Sequence, residues 1–283
     1  MVDERPSAAA GRFYEGSRDA LREQVESAFT HELGPGAVPE PGTGSPDIVG
    51  LVSPHAGLPY SGHVAAHGVD ALASQGRPDV LVVVGPNHTG RGDPVAVSDA
   101  DRWQTPLGSV PVHDTARDVV LRESDRATRD DRAHREEHAL EVQLPFFQVV
   151  YDDPPAIVPI VMADQSRSSV NDLGDAIAAV SNRLDESVVG VASTDLTHYE
   201  PQDVAEQADR TVIERIEALD SSGLLEQVER QSISMCGPGP TAAVLSASVA
   251  TGADEGRCLQ YATSGDVTGS TAEVVGYCSA IVR

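Results

Sequence analysis

The chain has no lysine: all 20 of its basic residues are arginine, set against 44 Asp and Glu in 283 residues, for a formal net charge of -24. Phosphate binding needs clustered basic groups, so this balance argues against a nucleic-acid partner. Acidity combined with loss of lysine is the composition of a surface suited to concentrated salt, where self-repulsion is screened. A halophilic source is therefore expected. Aromatic residues make up only 4% of the chain, so the core of this 40% hydrophobic sequence must be built from Val, Ala, Leu and Ile. Cysteine is also scarce. There are three, an odd number with no C-x-x-C pair, which argues against a disulfide framework. No run approaches the roughly 18 apolar residues of a membrane span. The first residues, Met1-Val2-Asp3-Glu4-Arg5-Pro6, lack the apolar stretch of a secretory signal. A cytoplasmic protein with no membrane association is the expectation.

What is present alternates between strand and helix signals. Residues 17–33 carry a helical stripe of Leu21, Val25, Ala28 and Phe29, with Ser17 as cap and Gly34 as stop. Apolar runs at 48–53, 80–84, 156–162 and 188–192 read as strands, as do 259–263 and 274–282. Helices are expected at about 62–74, 138–146, 170–184, 203–230 (interrupted near Ser221-Ser222-Gly223) and 240–250. Residues 121–137 carry charges of both signs and read as a solvated helix or loop. No internal repeat or long linker divides the chain, so one α/β domain is expected, with helices on both faces of a sheet.

Two apolar runs end in a histidine held by Pro and Gly: Ser53-Pro54-His55-Ala56-Gly57 and Gly85-Pro86-Asn87-His88. A strand that stops at such a turn and presents an imidazole is a natural way to build a metal or acid/base site on an α/β sheet. Either histidine alone reads as a turn residue; the pair points to a shared site. His138 reads equally as a pocket residue or a helix-start histidine. Asp195 and His198 lie three apart after a strand, where a carboxylate can orient an imidazole and raise its basicity. Cys236, in Met235-Cys236-Gly237, reads either as a soft third ligand, suited to iron, copper or zinc, or as a buried free thiol. Cys258 and Cys278 sit in strand-like runs and read as small buried hydrophobes. His63 and His67 fall on a helix that reads as surface-exposed with no third ligand nearby. His31, His113 and His134 read as surface residues.

Seven segments in order resemble the motifs of the Memo family: Gly11-Arg-Phe-Tyr-Glu-Gly-Ser17, Pro54-His-Ala-Gly-(x)2-Tyr-Ser-Gly62, Gly85-Pro-Asn-His88, Glu137-His-(x)2-Glu-Val-Gln-Leu-Pro-Phe146, Ser193-Thr-Asp-Leu-Thr-His-Tyr199, Cys236-Gly-(x)2-Pro240 and Tyr261-Ala-Thr-Ser-Gly-Asp266. The resemblance runs from about residue 11 to the C-terminus. It implies a three-layer α/β sandwich around a mostly parallel or mixed sheet, like that of class III extradiol dioxygenases. Those enzymes hold non-haem iron by two His and one carboxylate, and in Memo-like proteins a cysteine replaces the carboxylate. The resemblance thus implies His55, His88 and Cys236 as ligands of an iron or copper ion. It implies His198, supported by Asp195, as catalytic base, His138 as a second pocket histidine, and Phe13 and Tyr14 as an aromatic pair near the pocket. The second ligand motif, Gly85-Pro-Asn-His88, carries one histidine where some relatives have two adjacent ones. The cysteine motif reads Cys-Gly-Pro-Gly-Pro, without the basic pair of animal relatives. The expected activity is a metal-dependent oxidoreductase acting on a small molecule. The rival expectations are a metal- or peptide-binding adaptor on a catalytically retired fold and an accessory partner of a radical SAM protein, with an AMMECR-type protein in the same pathway.

Overall fold

The computed structural model describes residues 3–283. From the N-terminus the elements are β1 (Glu4–Arg5), α1 (Arg18–Thr30), β2 (Gly50–Ser53), α2 (Leu58–Gln75) and β3 (Val80–Pro86). Short elements follow: β4 (Val95–Val97), β5 (Arg102–Thr105), β6 (Gly108–Pro111), α3 (Asp114–Glu123) and β7 (Ala127–Arg129). A 3-10 turn at Glu141–Gln143 runs into α4 (Leu144–Val150), then β8 (Ala156–Met162), α5 (Arg167–Arg183), β9 (Val188–Ser193) and β10 (His198–Glu200). The remainder is α6 (Gln202–Glu217), α7 (Ser221–Gln231), α8 (Pro238–Ala250), β11 (Gly256–Thr263), α9 (Ser264–Thr268) and β12 (Val274–Val282).

The large sheet is mixed. Its order is β10-β12-β2-β9-β3-β8-β4-β7, with β11 pairing the other way on β12. The centre, β2-β9-β3-β8, is parallel, and β12 and β4 join it antiparallel on either side. Strand β3 shows why both faces must be covered. All seven of its residues are buried. Val80, Val82 and Val84 point into one core with α3, α5 and α8, while Leu81 and Val83 point into the other with α1, α2 and α4. A continuous apolar run with period-two partition is the signature of a strand buried on both sides. The result is a three-layer α/β sandwich with a mixed central sheet, as the alternation of elements implies. No helix of the described residues is long and apolar enough to cross a membrane.

A second sheet, β1-β5-β6, lies outside this frame. It and α3 fall largely in residues 89–120, where the sequence carries no periodicity strong enough to predict them. The helix expected at 138–146 is instead a turn, a 3-10 segment and a helix that begins only at Leu144. Pro145 accounts for the late start, because proline is tolerated in a first turn and not in a helix interior.

Two histidine expectations fail for the same reason: covering elements that the local pattern does not reveal. α2 is no surface helix. α1 packs along one side of it and the β11–β12 hairpin along another. His63 is buried there, with its ring stacked 4.8 Å from His31. His134, in the charge-rich 121–137 stretch, is fully buried. Its Nε2 donates to the Ala96 carbonyl at 3.1 Å and its ring meets the edge of Trp103. Burial, reinforced by the Arg5 charge, lowers its pKa to about 4. The unfolded chain then binds a proton near pH 6.5 that the folded chain refuses until about pH 4. Stability from this group is complete above pH 6.5 and is lost as pH falls toward 4. Between pH 7.5 and 5 the wild type should lose on the order of 2 kcal/mol more than His134→Gln in urea unfolding at fixed salt. Equal losses in the two proteins would remove His134 from the acid response.

Candidate metal centre

Three adjacent parallel strands end side by side, because their register is locked: Leu51 pairs Val191, Ser53 pairs Ser193, and Val84 pairs Ala192. Two residues beyond each C-terminal edge stands a polar side chain, His55 after β2, Asp195 after β9 and His88 after β3. Ligand sites in parallel α/β sheets form in this crevice outside the carboxyl ends of the strands. The fourth contributor, Cys236, comes from the turn before α8. That turn is fastened to the end of β9. Gly237 N–H donates to Thr194 Oγ1 at 3.0 Å, Cys236 N–H donates to the Asp195 carbonyl, and Gln165 Nε2 donates to the Cys236 carbonyl at 2.9 Å. A Cβ on Gly237 would sit 2.8 Å from Thr194, so this approach requires glycine.

The imidazole nitrogens of His55 and His88 and the Cys236 sulfur lie within 4.8 Å of one another. His55 Nε2 is 3.3 Å from Cys236 Sγ. Hydrogen bonding fixes which ring nitrogens stay free. Ser193 gives its hydroxyl proton to the Ala139 carbonyl at 2.7 Å, so at 3.0 Å it can only accept from His55 Nδ1. Gln143 locks this serine, donating from Nε2 to Ser193 Oγ and to the Pro54 carbonyl while its Oε1 accepts from Ser53. His55 Nε2 therefore carries a lone pair. The His55 ring is buried, and desolvation lowers its pKa to about 3, keeping it neutral.

His88 is oriented the same way by a carboxylate. Its Nδ1 donates to Glu137 Oε1 at 2.9 Å and its backbone N–H to Glu137 Oε2 at 2.6 Å. Glu137 is 0% exposed and also accepts the backbone N–H groups of His138 and Ala139. Burial alone would raise its pKa, but the bond and charge of His88 and these amide donors outweigh it and hold the group at about 2. The carboxylate stays ionised, and His88 Nε2 is left free to bind. Glu137 also belongs to a second cluster with His88 and His138. Its oxygens are already committed to four N–H donors, which makes it an orienting group more than a ligand. The spent-Nδ1, free-Nε2 pattern on both rings is how proteins prepare histidines for a metal.

Cys236 Sγ accepts the Asp195 backbone N–H at 3.1 Å. Burial, followed by the neighbouring Asp195 carboxyl, pushes its thiol up to about 12. Two imidazoles with free Nε2 atoms and a thiol that must give up its proton suit a soft or borderline transition metal and do not suit magnesium or calcium. The donor set fits iron, copper or zinc, and three protein donors leave positions for another ligand.

The remaining expected residues fall into two groups. His138 stands in a stack beside the donor set. Phe13 lies 3.8 Å away on one side at 16°, and His88 lies 4.7 Å away on the other at 25°. Asp195 and His198 are near each other but do not pair through the ring. Asp195 Oδ1 accepts the backbone N–H groups of His55 and Ala56. His198 Nδ1 points at the Leu196 and Ser234 carbonyls, both at 2.8 Å. These carbonyls, and not Asp195, set the His198 tautomer and leave its Nε2 as an acceptor. Tyr14 is buried with its hydroxyl on Glu141. It braces the segment that carries Phe13.

Sequence reasoning assigned no role to Glu137, Glu141, Gln143 or Ser193, although all four lie within the motifs quoted for it. The signal was their place beside the histidines, but a hydrogen-bonding role becomes visible only in three dimensions. Glu137→Gln tests the most consequential of them. An amide offers one acceptor oxygen where two are used, and turns N–H donors toward the N–H groups already present. Metal affinity, measured by competition with a chromophoric chelator, should fall about 10–100-fold. An unchanged affinity would show that His88 needs no carboxylate to bind.

Comparison with known proteins agrees with the motif pattern. The family model described as Memo-like protein matches residues 5–281. A MEMO1 family protein of Methanopyrus kandleri is 48% identical over 280 residues, covering 99% of each chain. Another from Methanothermobacter thermautotrophicus is 44% identical over 273 residues, covering 96% of this chain and 98% of that one. A third, from Thermotoga maritima, is 46% identical over 280 residues, covering 98% and 99%.

Proposed function

The chain belongs to the Memo-like family, and on that premise we propose that it is a metal-dependent oxidoreductase with one ion, iron or copper, held by His55, His88 and Cys236. The observation that carries this reading is the convergence of three donors whose other polar atoms are already spent. His55 Nδ1–H donates to Ser193, His88 Nδ1–H donates to Glu137, and the Asp195 amide donates to the sulfur. The bound ion would supply Lewis acidity and electron transfer at the open positions.

The protein's own groups do the rest. His138 and Phe13, stacked in near-parallel planes, pack beside His88 and hold its ring in place. Burial lowers the His138 pKa to about 4, so it presents a neutral ring at physiological pH. His198, its Nδ1–H turned to carbonyls, has Nε2 available to take a proton from a bound substrate. Asp195 holds the backbone at His55 and keeps the ligand turn in place.

Protein purified without oxygen and equilibrated with ferrous or cuprous ion should retain about one equivalent through desalting. Retention below about 0.1 equivalent of either ion would overturn the metal reading. With metal bound, screening catechols and related small aromatic substrates should reveal turnover that His198→Ala reduces about 10²–10⁴-fold without loss of metal. Full metal loading with no turnover across such a panel would favour a binding role for the same centre.

A further inference from the structure

β11 and β12 form an antiparallel pair that carries the other two cysteines, and neither has a role in the metal centre. In a regular strand Cys258 and Tyr261, three apart, would face opposite sides of the sheet. Here the register shifts between Cys258 and Gln260: Cys258 lies opposite Ala280, Gln260 opposite Ser279, and Tyr261 opposite Cys278. This bulge at Leu259 turns Cys258 onto the face occupied by Cys278, Ala280 and Val282. The two sulfurs come to 3.6 Å, about van der Waals contact, with no other residue between them.

The two thiols are not equivalent. Cys278 is buried, whereas Cys258 is partly exposed and lines a cavity of about 560 Å³ between β11 and α6. The other polar groups on that cavity include Glu206, Glu217, Asp266, Tyr261 and one cation, Arg210. A wall of this sign repels anionic reagents and admits uncharged ones.

We propose that Cys258 and Cys278 form a peroxide-reactive dithiol, with Cys258 the attacking sulfur and Cys278 the resolving one, closing to a disulfide across the β11–β12 ladder. The Cys258 thiolate attacks one oxygen of hydrogen peroxide. The O–O bond breaks, the sulfur becomes a sulfenic acid, and the departing hydroxide takes up a proton to leave as water. Cys278 then loses its proton and attacks the Cys258 sulfur, forming the S–S bond and expelling the second oxygen as water. Two thiols and one peroxide give one disulfide and two waters, with two electrons passing from the sulfurs to the peroxide. The order of attack follows from access, since only Cys258 reaches the cavity. It is supported by electrostatics. The hydrogen bond from Cys278 pulls the Cys258 thiol below its ordinary value despite burial and the nearby Glu217, and the same pairing pushes Cys278 up. Closing the gap to a bond of about 2.05 Å asks for a small side-chain movement at a bulge, where the ladder is already interrupted.

The test is peptide mapping by mass spectrometry on the full chain. The protein is reduced, freed of reductant, treated with one equivalent of hydrogen peroxide, and capped with iodoacetamide. After cleavage at Glu273, which lies between the two cysteines, the expected product is a linked pair of peptides containing Cys258 and Cys278, lighter by two hydrogens and restored to two free thiols by dithiothreitol. Cys258→Ser, on the partly exposed strand, should abolish the link and leave Cys278 capped. Cys278→Ser should leave Cys258 as a sulfenic acid that a dimedone probe traps. Overoxidation of Cys258 without the link, a Cys258-to-Cys258 dimer, or two capped thiols at every peroxide concentration up to a tenfold excess would each overturn the proposal. Should Cys278→Ser fail to fold, the wild-type and Cys258→Ser maps decide it alone.

Discussion

Cys236→Ala should cost the protein its metal. A metal site of the structural type is worth about 10–16 kcal/mol in total, so each of three or four ligands carries a few kcal/mol. Removing the only donor that binds as an anion should weaken affinity by about 10²–10³-fold, and the sulfur-to-metal charge-transfer absorption should vanish. Cys236→Ser separates charge from shape, because it keeps the volume and the contacts around the sulfur but does not ionise at neutral pH. Gly237 and Thr194 anchor the turn independently of the sulfur, so both variants should keep wild-type circular dichroism. A serine variant that binds as tightly as the wild type would end the case for a thiolate ligand. The pH dependence has a fixed sign. Burial and the Asp195 carboxyl keep the free thiol protonated to about 12, so metal uptake at neutral pH expels one proton. His55, held neutral down to about 3, adds no competing proton. Wild-type affinity should therefore rise by at least about tenfold per pH unit between pH 6 and 8, and the serine variant should show a shallower slope.

The second large effect lies a turn away from the ligands. Glu141 is fully buried and is the anchor of the N-terminal segment. It accepts from Arg5, Ser7, the backbone of Ala8 and Ala9, and the Tyr14 hydroxyl. Arg5 is itself buried, stacked 4.0 Å over Trp103, with its remaining donors on the His134 and Glu137 carbonyls. Breaking a buried pair by removing one partner leaves an uncompensated charge and costs about 3–5 kcal/mol. Glu141→Gln should therefore lower the unfolding midpoint by roughly 5–15 °C. Because the same segment carries Phe13 onto His138, the aromatic stack beside the donor set should loosen too. Arg5→Met removes the stranded charge, so the double variant should be more stable than the sum of the single losses by at least about 1 kcal/mol. Strict additivity in urea unfolding would mean the two groups stand independently.

Both predictions concern residues whose importance reads differently from sequence and from structure. His55 and His88 were legible, because an apolar run stopped by Pro and Gly announces a strand end. Cys236, a thiol in a Gly/Pro turn, read either as a third ligand or as a buried free thiol, and the motif pattern favoured the ligand. Glu137 and Glu141 were unreadable. Each looks like one more acid in a chain with 44 of them, and a buried carboxylate differs from a solvated one only in its surroundings. The same blindness put His134 at the surface and α2 in solvent, because the elements that cover them lie far away in sequence.

By itself the sequence determined the α/β alternation, the long central strands and the histidine-bearing strand ends. These follow from local hydrophobic period and from the backbone limits of Pro and Gly. Only the tertiary structure decided that β2, β9 and β3 lie side by side, so that candidate ligands 33 and 181 residues from His55 meet it. It alone decided which ring nitrogens are free, which acids are buried, and that a bulge at Leu259 brings Cys258 against Cys278. Those outcomes depend on strand order, register and desolvation, which are set by packing between distant segments and leave no periodic trace in the chain.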